Sequence, residues 1–282
     1  MPSRRRAPHA AATAALLASA LPMMLRAQDP LQGWRVDAQA KAMALVRVEQ
    51  SGATTRFVFQ NVSEKTVTAF SASFGTTREP SVEGVDCFTV DASLCWAPGA
   101  SYPFIELTAQ LPPAPDRVIH VLAAIFEDGD AEGEQSTIDH DRFHRLGTMF
   151  EIERVRGILG APAEDYSSEA GVKLLIAKIG KEPGPGEDPF ASFDAVSLPG
   201  VSLATLRRGS KLARNGFFAG VVIERRWALK QAQDVLSPPG GTQANSSAPA
   251  PTAAITQMRQ RYEANSAKYR AFCQRTNGGI PR

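Results

Sequence analysis

The residues best suited to chemistry lie near the middle of the chain, in an acidic segment over 128–139. It reads Asp-Gly-Asp-Ala-Glu-Gly-Glu-Gln-Ser-Thr-Ile-Asp. Oxygen-bearing side chains stand at positions 1, 3, 5, 9 and 12 of the calcium-loop pattern, and a Gly stands at position 6, where the chain must turn sharply. This spacing predicts a calcium site whose ligands are Asp128, Asp130, Glu132 and Asp139.

A second interpretation of the acidic segment needs no metal. Gly129 and Gly133 favour two turns that carry solvated carboxylates and lead into a helix. Position 12 is Asp139 rather than the longer bidentate Glu, and the preceding element reads as a strand rather than a helix. Calcium is therefore one of two alternatives, and the sequence predicts no other cofactor.

His140 and His144 follow the acidic segment directly and lie four residues apart. On a helix this spacing places two imidazoles on one face, an arrangement that a zinc ion can share. The sequence His-Asp-Arg-Phe-His has no Glu after the first His, so it does not follow the zinc-protease motif. The alternative is a pair of surface histidines near a helix N-terminus.

No pattern in the sequence identifies a catalytic nucleophile. The nearest match to a nucleophile elbow is Gly-Val-Ser-Leu-Ala over 200–204, which lacks the second Gly. No phosphate-binding Gly loop and no paired-Cys metal motif occurs. The sequence therefore predicts no catalytic residues and favours a protein that is not an enzyme.

The chain has three cysteines, and two of them lie close together in sequence. Cys87 and Cys95 are the candidates for a disulfide that closes a short loop in an oxidising compartment. Cys273 is left over and is interpreted as an inert thiol on a C-terminal helix, with intermolecular pairing as the alternative.

The N-terminus has the layout of a secretory signal peptide over 1–27. Three consecutive Arg residues at 4–6 precede an apolar stretch over 11–25, which is too short to span a bilayer. Residues 1–27 hold four of the 31 basic residues and no acid, so cleavage leaves 27 basic and 29 acidic residues and a net charge of −2. Nothing in this overall balance favours nucleic acid or an anionic membrane as a partner, and the sequence predicts no nucleic-acid partner and no transmembrane segment after cleavage. The predicted location is secreted or periplasmic.

Short strands dominate the sequence up to about residue 127. The candidates are 42–48, 56–60, 67–74, 102–108 and 118–126, separated by turns rich in Gly, Pro and Ser. The polar connector over 61–65 predicts a hairpin between the second and third of them. The region resembles the bacterial extracellular FxLyD and immunoglobulin-like β-sandwich modules over about residues 42–126, through the segment Phe-Val-Phe-Gln-Asn-Val-Ser-Glu-Lys-Thr-Val-Thr-Ala-Phe over 57–70. The resemblance implies a binding or spacer domain without catalytic residues.

Helical periodicity begins after residue 133. Helices are predicted over 139–159, over 168–179 and over 203–236, the last with a break near Asn215-Gly216. Basic residues predominate over 205–230, which indicates either the solvated face of an amphipathic helix or a surface for an anionic envelope component. The last helix carries an apolar stripe that either docks on its own domain or pairs with a partner helix; it consists of Ile255, Met258, Tyr262, Asn265, Tyr269 and Phe272.

The predicted fold class is α+β, with an N-terminal antiparallel immunoglobulin-like β-sandwich followed by a helical region. The predicted divisions are a signal peptide (1–27), a β-sandwich domain (30–130), a helical region (136–236), a flexible linker (237–251) and a C-terminal helix (252–282). We expect an exported, non-enzymatic binding or structural protein of the bacterial cell envelope, with an envelope protein or polymer as its partner. The alternative is a metal-dependent enzyme or calcium-stabilised module that uses residues 128–139 and the pair His140/His144.

Overall fold

The computed structural model describes most of the chain between residues 31 and 276. The described residues are 31–52, 54–74, 81–87, 95–107, 117–161, 165–181, 190, 198, 201–236 and 251–276. The predicted signal peptide and residues 237–250 of the predicted linker lie outside them. Within them, sheets of mainly antiparallel strands are followed by a helical region, so the predicted α+β class is confirmed at this level.

In the described part of the chain, eight strands form two sheets. They are β1 (Arg35–Ala38), β2 (Met43–Ser51), β3 (Thr54–Asn61), β4 (Val67–Phe74), β5 (Ser81–Asp86), β6 (Ser101–Leu107), β7 (Val118–Phe126) and β8 (Ala131–Gly133). The first sheet has the order β1-β7-β4-β5, with β8 also paired to β7, and the second has the order β2-β3-β6. All pairs are antiparallel except β1 with β7, which is parallel.

The inner faces of the two sheets share one apolar core. Phe57 and Phe59 of β3 meet Phe74 and Phe70 of β4, with ring centroids 5.1 Å and 4.9 Å apart, respectively. All four side chains are buried. Because alternate residues of a strand point to opposite faces, Phe70 and Phe74 face this core while Ala69, Ser71 and Ser73 face the other way.

The predicted hairpin between 56–60 and 67–74 is wrong, because β3 and β4 belong to different sheets. The connection turns the chain from one sheet to the other. Asn61, fully buried at the end of β3, donates from Nδ2 to the carbonyl oxygens of Lys65 and Trp96, and its Oδ1 accepts from the Ser63 amide. The side chain thus completes a local turn, so that the connector needs no strand pairing to be stable.

Among the residues described after the strands, five segments are helical. They are α1 (Gln135–Gly160), α2 (Glu169–Gly180), α3 (Leu203–Arg208), α4 (Lys211–Leu236) and α5 (Pro251–Thr276). Ser168 and Ser202 cap the N-termini of α2 and α3, where each hydroxyl accepts from a backbone amide three residues later. No helix in the described residues combines the length and apolarity needed to cross a bilayer.

The predicted helix break near Asn215-Gly216 is wrong: the interruption between α3 and α4 lies at Gly209-Ser210. Gly216 lies within α4, where it allows close approach to α1. A Cβ at this position would lie 2.4 Å from the His140 carbonyl oxygen. Glycine at this position therefore serves helix packing, which a local signal for a helix stop does not distinguish.

Helix α5 packs on α1 and α4 of the same chain. Ile255, Met258, Tyr262, Tyr269 and Phe272 of the predicted stripe are buried, so the stripe is covered within the chain. Its sixth member, Asn265, is only half-buried, and the neighbouring Ser266 is buried instead.

Cys87 and Cys95 are joined in a disulfide, with Cα atoms 5.1 Å apart. Cys273 is a free, buried thiol, and burial raises its pKa to about 11.

We therefore expect thiol titration to count no reactive thiol in the native protein, one after unfolding without reductant, and three after unfolding with reductant. Reduction of the short loop should lower the free energy of unfolding by about 2.5 kcal/mol. Three reactive thiols in the unreduced, unfolded protein would contradict this pairing.

Glu153 of α1 forms the main ion pair to α5. Burial raises its pKa, but hydrogen bonds from Arg270, Ser266 and Arg156 outweigh burial and hold the pKa at about 2, below the ordinary 4.5. Arg270 donates to both carboxylate oxygens at 2.8 Å. Because the folded-state pKa is lowered, this stabilisation is complete above pH 4.5 and is lost as the pH falls towards 2.

The variant Glu153→Gln should lose about 2 kcal/mol of stability at neutral pH, since it forfeits charge-assisted hydrogen bonds. Its stability should also fall less steeply than that of the wild type between pH 5 and pH 2, roughly the range over which the carboxylate titrates. Urea unfolding at a series of pH values measures both effects, and Glu64→Gln, at an exposed position, is the control. Parallel pH profiles for wild type and Glu153→Gln would show that Glu153 does not stabilise the α1–α5 contact.

Candidate functional site

A cavity of about 620 Å³ lies between the first sheet and the helices. Its size falls within the range of small-molecule sites in proteins. Strands β4 and β5 form one wall, α1 and α4 form two others, and α5 contributes one residue at the rim, Arg261. The residues most relevant to binding are Ser71, Asp86, His140, Asp141, His144 and Glu224 on the polar side.

The sheet wall of the cavity is built from small side chains on the outer face of β4. Ala69 and Ser71 point away from the inner core and line the cavity together with Gly84 of β5. All eight residues of β4 are buried, so both faces of this strand are covered. A strand that alternates large apolar and small polar residues leaves room on its small-residue side, which explains why the cavity lies at this position.

A hydrogen-bonded group of three side chains spans the sheet and α1. Ser71 Oγ donates to Asp141 Oδ2 at 2.6 Å, and His140 Nδ1 lies 3.2 Å from Asp141 Oδ1. The serine hydroxyl therefore bonds to the carboxylate and not to the imidazole. In a Ser-His-Asp triad the histidine lies between the other two residues, so this arrangement does not activate Ser71 as a nucleophile. It instead fixes Asp141 as a hydrogen-bond acceptor at the cavity wall.

His144 lines the cavity one helical turn beyond His140, with the ring centroids 6.5 Å apart. Burial lowers the pKa of His144, and the attraction of Asp86 and Asp141 only partly opposes this effect. The imidazole is therefore neutral at pH 7, with one nitrogen that donates and one that accepts. Such a ring can bind a ligand hydroxyl or amine without adding charge to the cavity.

The two other cavity carboxyl groups have protein partners. Asp86 forms an ion pair with Arg145 at 2.6 Å, and both side chains are more than 90% buried. Burial raises the pKa of Glu224, whose Oε1 accepts a hydrogen bond from the Tyr262 hydroxyl at 2.8 Å. Asp141 already bonds to Ser71 and His140, but each of its carboxylate oxygens has a second lone pair that can accept a hydrogen bond from a ligand donor.

The opposite side of the cavity comes from α4 and, apart from Glu224, is apolar. Leu212, Ala219, Ile223 and Trp227 line it, and Trp227 is 54% exposed at the rim. The helix can approach α1 closely enough to close the cavity because Gly147, Gly216 and Gly220 lie at the crossing. A Cβ at any of these three positions would come within 2.4 Å of a backbone oxygen on the opposite helix.

The four predicted calcium ligands of the acidic segment do not line this cavity. Lys65 Nζ forms ion pairs of 2.6 Å with both Asp128 and Asp130. The other two predicted ligands have separate partners: Glu132 accepts from the Ala42 amide, and Asp139 accepts from Gln135 Nε2. The structure thus brings two of the four carboxylates together around a lysine. Among the described residues, no group of three or more His, Cys, Asp or Glu side chains is arranged to hold a metal ion.

The calcium site remains a prediction that a titration can test. Because Lys65 already offsets the charge of Asp128 and Asp130, we expect millimolar calcium to leave the melting temperature unchanged. A bound ion would instead raise stability as RT ln(1 + [L]/Kd). Differential scanning calorimetry with calcium, and with magnesium as the control, separates the two outcomes. A rise with calcium alone would support the calcium loop.

The sequence pattern points to His140 and His144 but does not connect them with the rest of the cavity. Ser71, Asp86, Glu224, Trp227 and Arg261 come from four other elements, so no local spacing relates them. The alternation in β4 is the one available signal, and by itself it indicates a polar, outward-facing side.

Comparison with protein-family models, curated proteins and solved structures gave no match to this chain.

Proposed function

We propose that this chain is an exported binding protein of the bacterial cell envelope whose ligand occupies the cavity between the first sheet and helices α1 and α4. The observation that carries the proposal is the cavity itself, which is about 620 Å³ in volume and has one polar and one apolar wall. Binding sites commonly combine an apolar lining with a few convergent polar groups. The two sheets with a shared core support an immunoglobulin-like sandwich as the scaffold.

The lining favours a small amphipathic ligand with a hydrogen-bond donor at one end. An apolar body fits against Ile223 and Leu212, and a hydroxyl or amine can reach the acceptors Asp141 and His144 on the opposite wall. Among the described lining residues the one cation is Arg261, at the rim, and Arg145 behind the wall is already paired with Asp86, so an anionic head group at the opposite wall would face the Asp141 carboxylate. We therefore infer a preference for neutral or cationic head groups.

A thermal-shift panel tests this preference with three probes of equal chain length. Octylamine and octanol should raise the melting temperature of the purified protein, and octanoate should raise it less. The same stabilisation by all three probes would indicate apolar burial without recognition of the head group. No shift with any of them would contradict an amphipathic site.

The metal-dependent alternative has one observation in its favour, since His140 and His144 both line the cavity. Metal analysis of the purified protein tests it directly. A stoichiometric transition metal that is lost in the variant His144→Ala would favour this alternative over a metal-free binding site.

Export is tested separately by N-terminal sequencing. The mature chain should begin shortly after Ala20 or Ala27, and an intact Met1 on cytoplasmic protein would contradict export.

A further inference from the structure

Helix α4 presents large apolar side chains to solvent. Leu212, Val222, Ile223 and Trp227 are 45%, 39%, 45% and 54% exposed. With 3.6 residues per turn, these positions fall on one side of the helix, together with Arg226 and Lys230. We call this set of six residues the α4 face. A cluster of exposed apolar residues on one helix marks an interaction surface, whereas single ones scattered over a protein do not.

Cations outnumber acids around the α4 face. Arg225 and Glu224 are buried, where they bond to Glu151 and Tyr262, respectively, so they do not contribute to this surface. The only other acid in 201–236 is Asp234, which pairs with Lys230. The exposed cations of the same stretch are Arg207, Arg208, Lys211, Arg226 and Lys230.

We propose that the α4 face docks on an anionic phospholipid surface. A helix that combines exposed Trp, Ile and Leu with Lys and Arg can lie in the membrane interface, with the apolar side chains among the acyl chains and the cations at the phosphates. Trp227 suits the headgroup level, since indole is apolar but carries one N–H donor. The basic charge selects an anionic surface over a neutral one.

This docking gives the cavity a defined orientation. Leu212, Ile223 and Trp227 belong both to the α4 face and to the apolar wall of the cavity. A protein docked in this way holds the cavity rim against the membrane, where amphipathic molecules are concentrated. Docking can still be tested apart from ligand binding, because Val222, Arg226 and Lys230 of the α4 face do not line the cavity.

Vesicle sedimentation of the full chain tests the docking. The wild type should sediment with phosphatidylglycerol vesicles at low salt, remain soluble with phosphatidylcholine vesicles, and dissociate as salt is raised. Trp227 emission should shift to shorter wavelength on binding, and the buried Trp34 and Trp96 should contribute little to this change.

Paired variants separate the α4 face from general surface effects. Val222→Ser combined with Arg226→Gln should weaken binding to phosphatidylglycerol at least about fivefold, since one basic residue near an anionic surface contributes about that factor. Leu174→Ser combined with Lys41→Gln makes equivalent changes at exposed positions elsewhere and should leave binding within about twofold.

Three results would overturn the docking proposal: no binding to phosphatidylglycerol, equal binding to phosphatidylcholine, or an equal loss in the control variant. If the α4 face instead binds an acidic partner protein, the chain should not bind phosphatidylglycerol vesicles. The Val222→Ser/Arg226→Gln variant should bind octylamine as the wild type does, because those side chains do not line the cavity. Weaker vesicle binding with unchanged octylamine binding therefore separates docking from ligand binding.

Discussion

Replacement of Arg145 by methionine should lower the free energy of unfolding by about 3–5 kcal/mol, because it leaves a buried carboxylate without its cation. Arg145 Nε donates to Asp86 Oδ2 at 2.6 Å, and Nη2 donates to Thr68 Oγ1 at 3.2 Å. Its guanidinium also lies 4.6 Å from the centre of the Phe272 ring. One side chain therefore joins α1 to β4, β5 and α5.

Urea unfolding measures this effect, and two further variants isolate its cause. The double variant Arg145→Met/Asp86→Asn should recover a large part of the loss, since the carboxylate charge is also removed. Arg226→Met replaces an exposed arginine and should change stability by no more than about 0.5 kcal/mol. If Arg145→Met unfolds at the wild-type urea concentration, the ion pair does not join the sheet to the helices.

Gly220→Ala should destabilise the protein by at least about 3 kcal/mol or prevent folding, because there is no space for a methyl group at the crossing of α1 and α4. The new Cβ would lie 2.1 Å from the His144 carbonyl oxygen and 2.8 Å from the Thr148 amide nitrogen. Both neighbours are backbone atoms of α1, so relief requires the two helices to move apart. That movement would also open the cavity wall beside Ala219.

The matched control for Gly220 is Gly157, an exposed position on α1 where an added Cβ would have no neighbour within 4 Å. Gly157→Ala should stabilise the protein by about 0.5–1 kcal/mol, since alanine loses less backbone entropy than glycine in a helix. Thermal unfolding of both variants gives the comparison. Similar melting temperatures would show that α1 and α4 are not in close contact at Gly220.

The sequence predicts the elements of this fold more successfully than their arrangement. The predicted bounds of β7 match the observed ones because nine consecutive residues suit a central strand, and those of β4 match because its residues alternate in character. The predicted partner of β4 is wrong, since the connector over 61–65 suits both a hairpin and a crossing between sheets. Local sequence contains turn chemistry, but the choice of sheet depends on contacts with distant strands.

The candidate site shows the same difference. The spacing of His140 and His144 identifies both residues, because it depends only on helix geometry. The alternation of β4 puts Ser71 on a polar outer side, yet Ser71 is buried and donates to Asp141, 70 residues away in sequence. Gly216 resembles a helix stop because a single sequence does not show the second helix that requires a small residue. The roles of Ser71 and Gly216 are both set by tertiary packing.

The central claim is that the cavity between the first sheet, α1 and α4 binds an amphipathic small molecule. Isothermal titration with octylamine tests it most directly, with Ala219→Leu, which fills the cavity, and Ala204→Leu, which makes the same change at an exposed position on α3. We expect saturable binding at one site in the wild type and in Ala204→Leu, and at least a tenfold loss in Ala219→Leu. Equal affinity in all three proteins, or no saturable binding in the wild type, would contradict the claim.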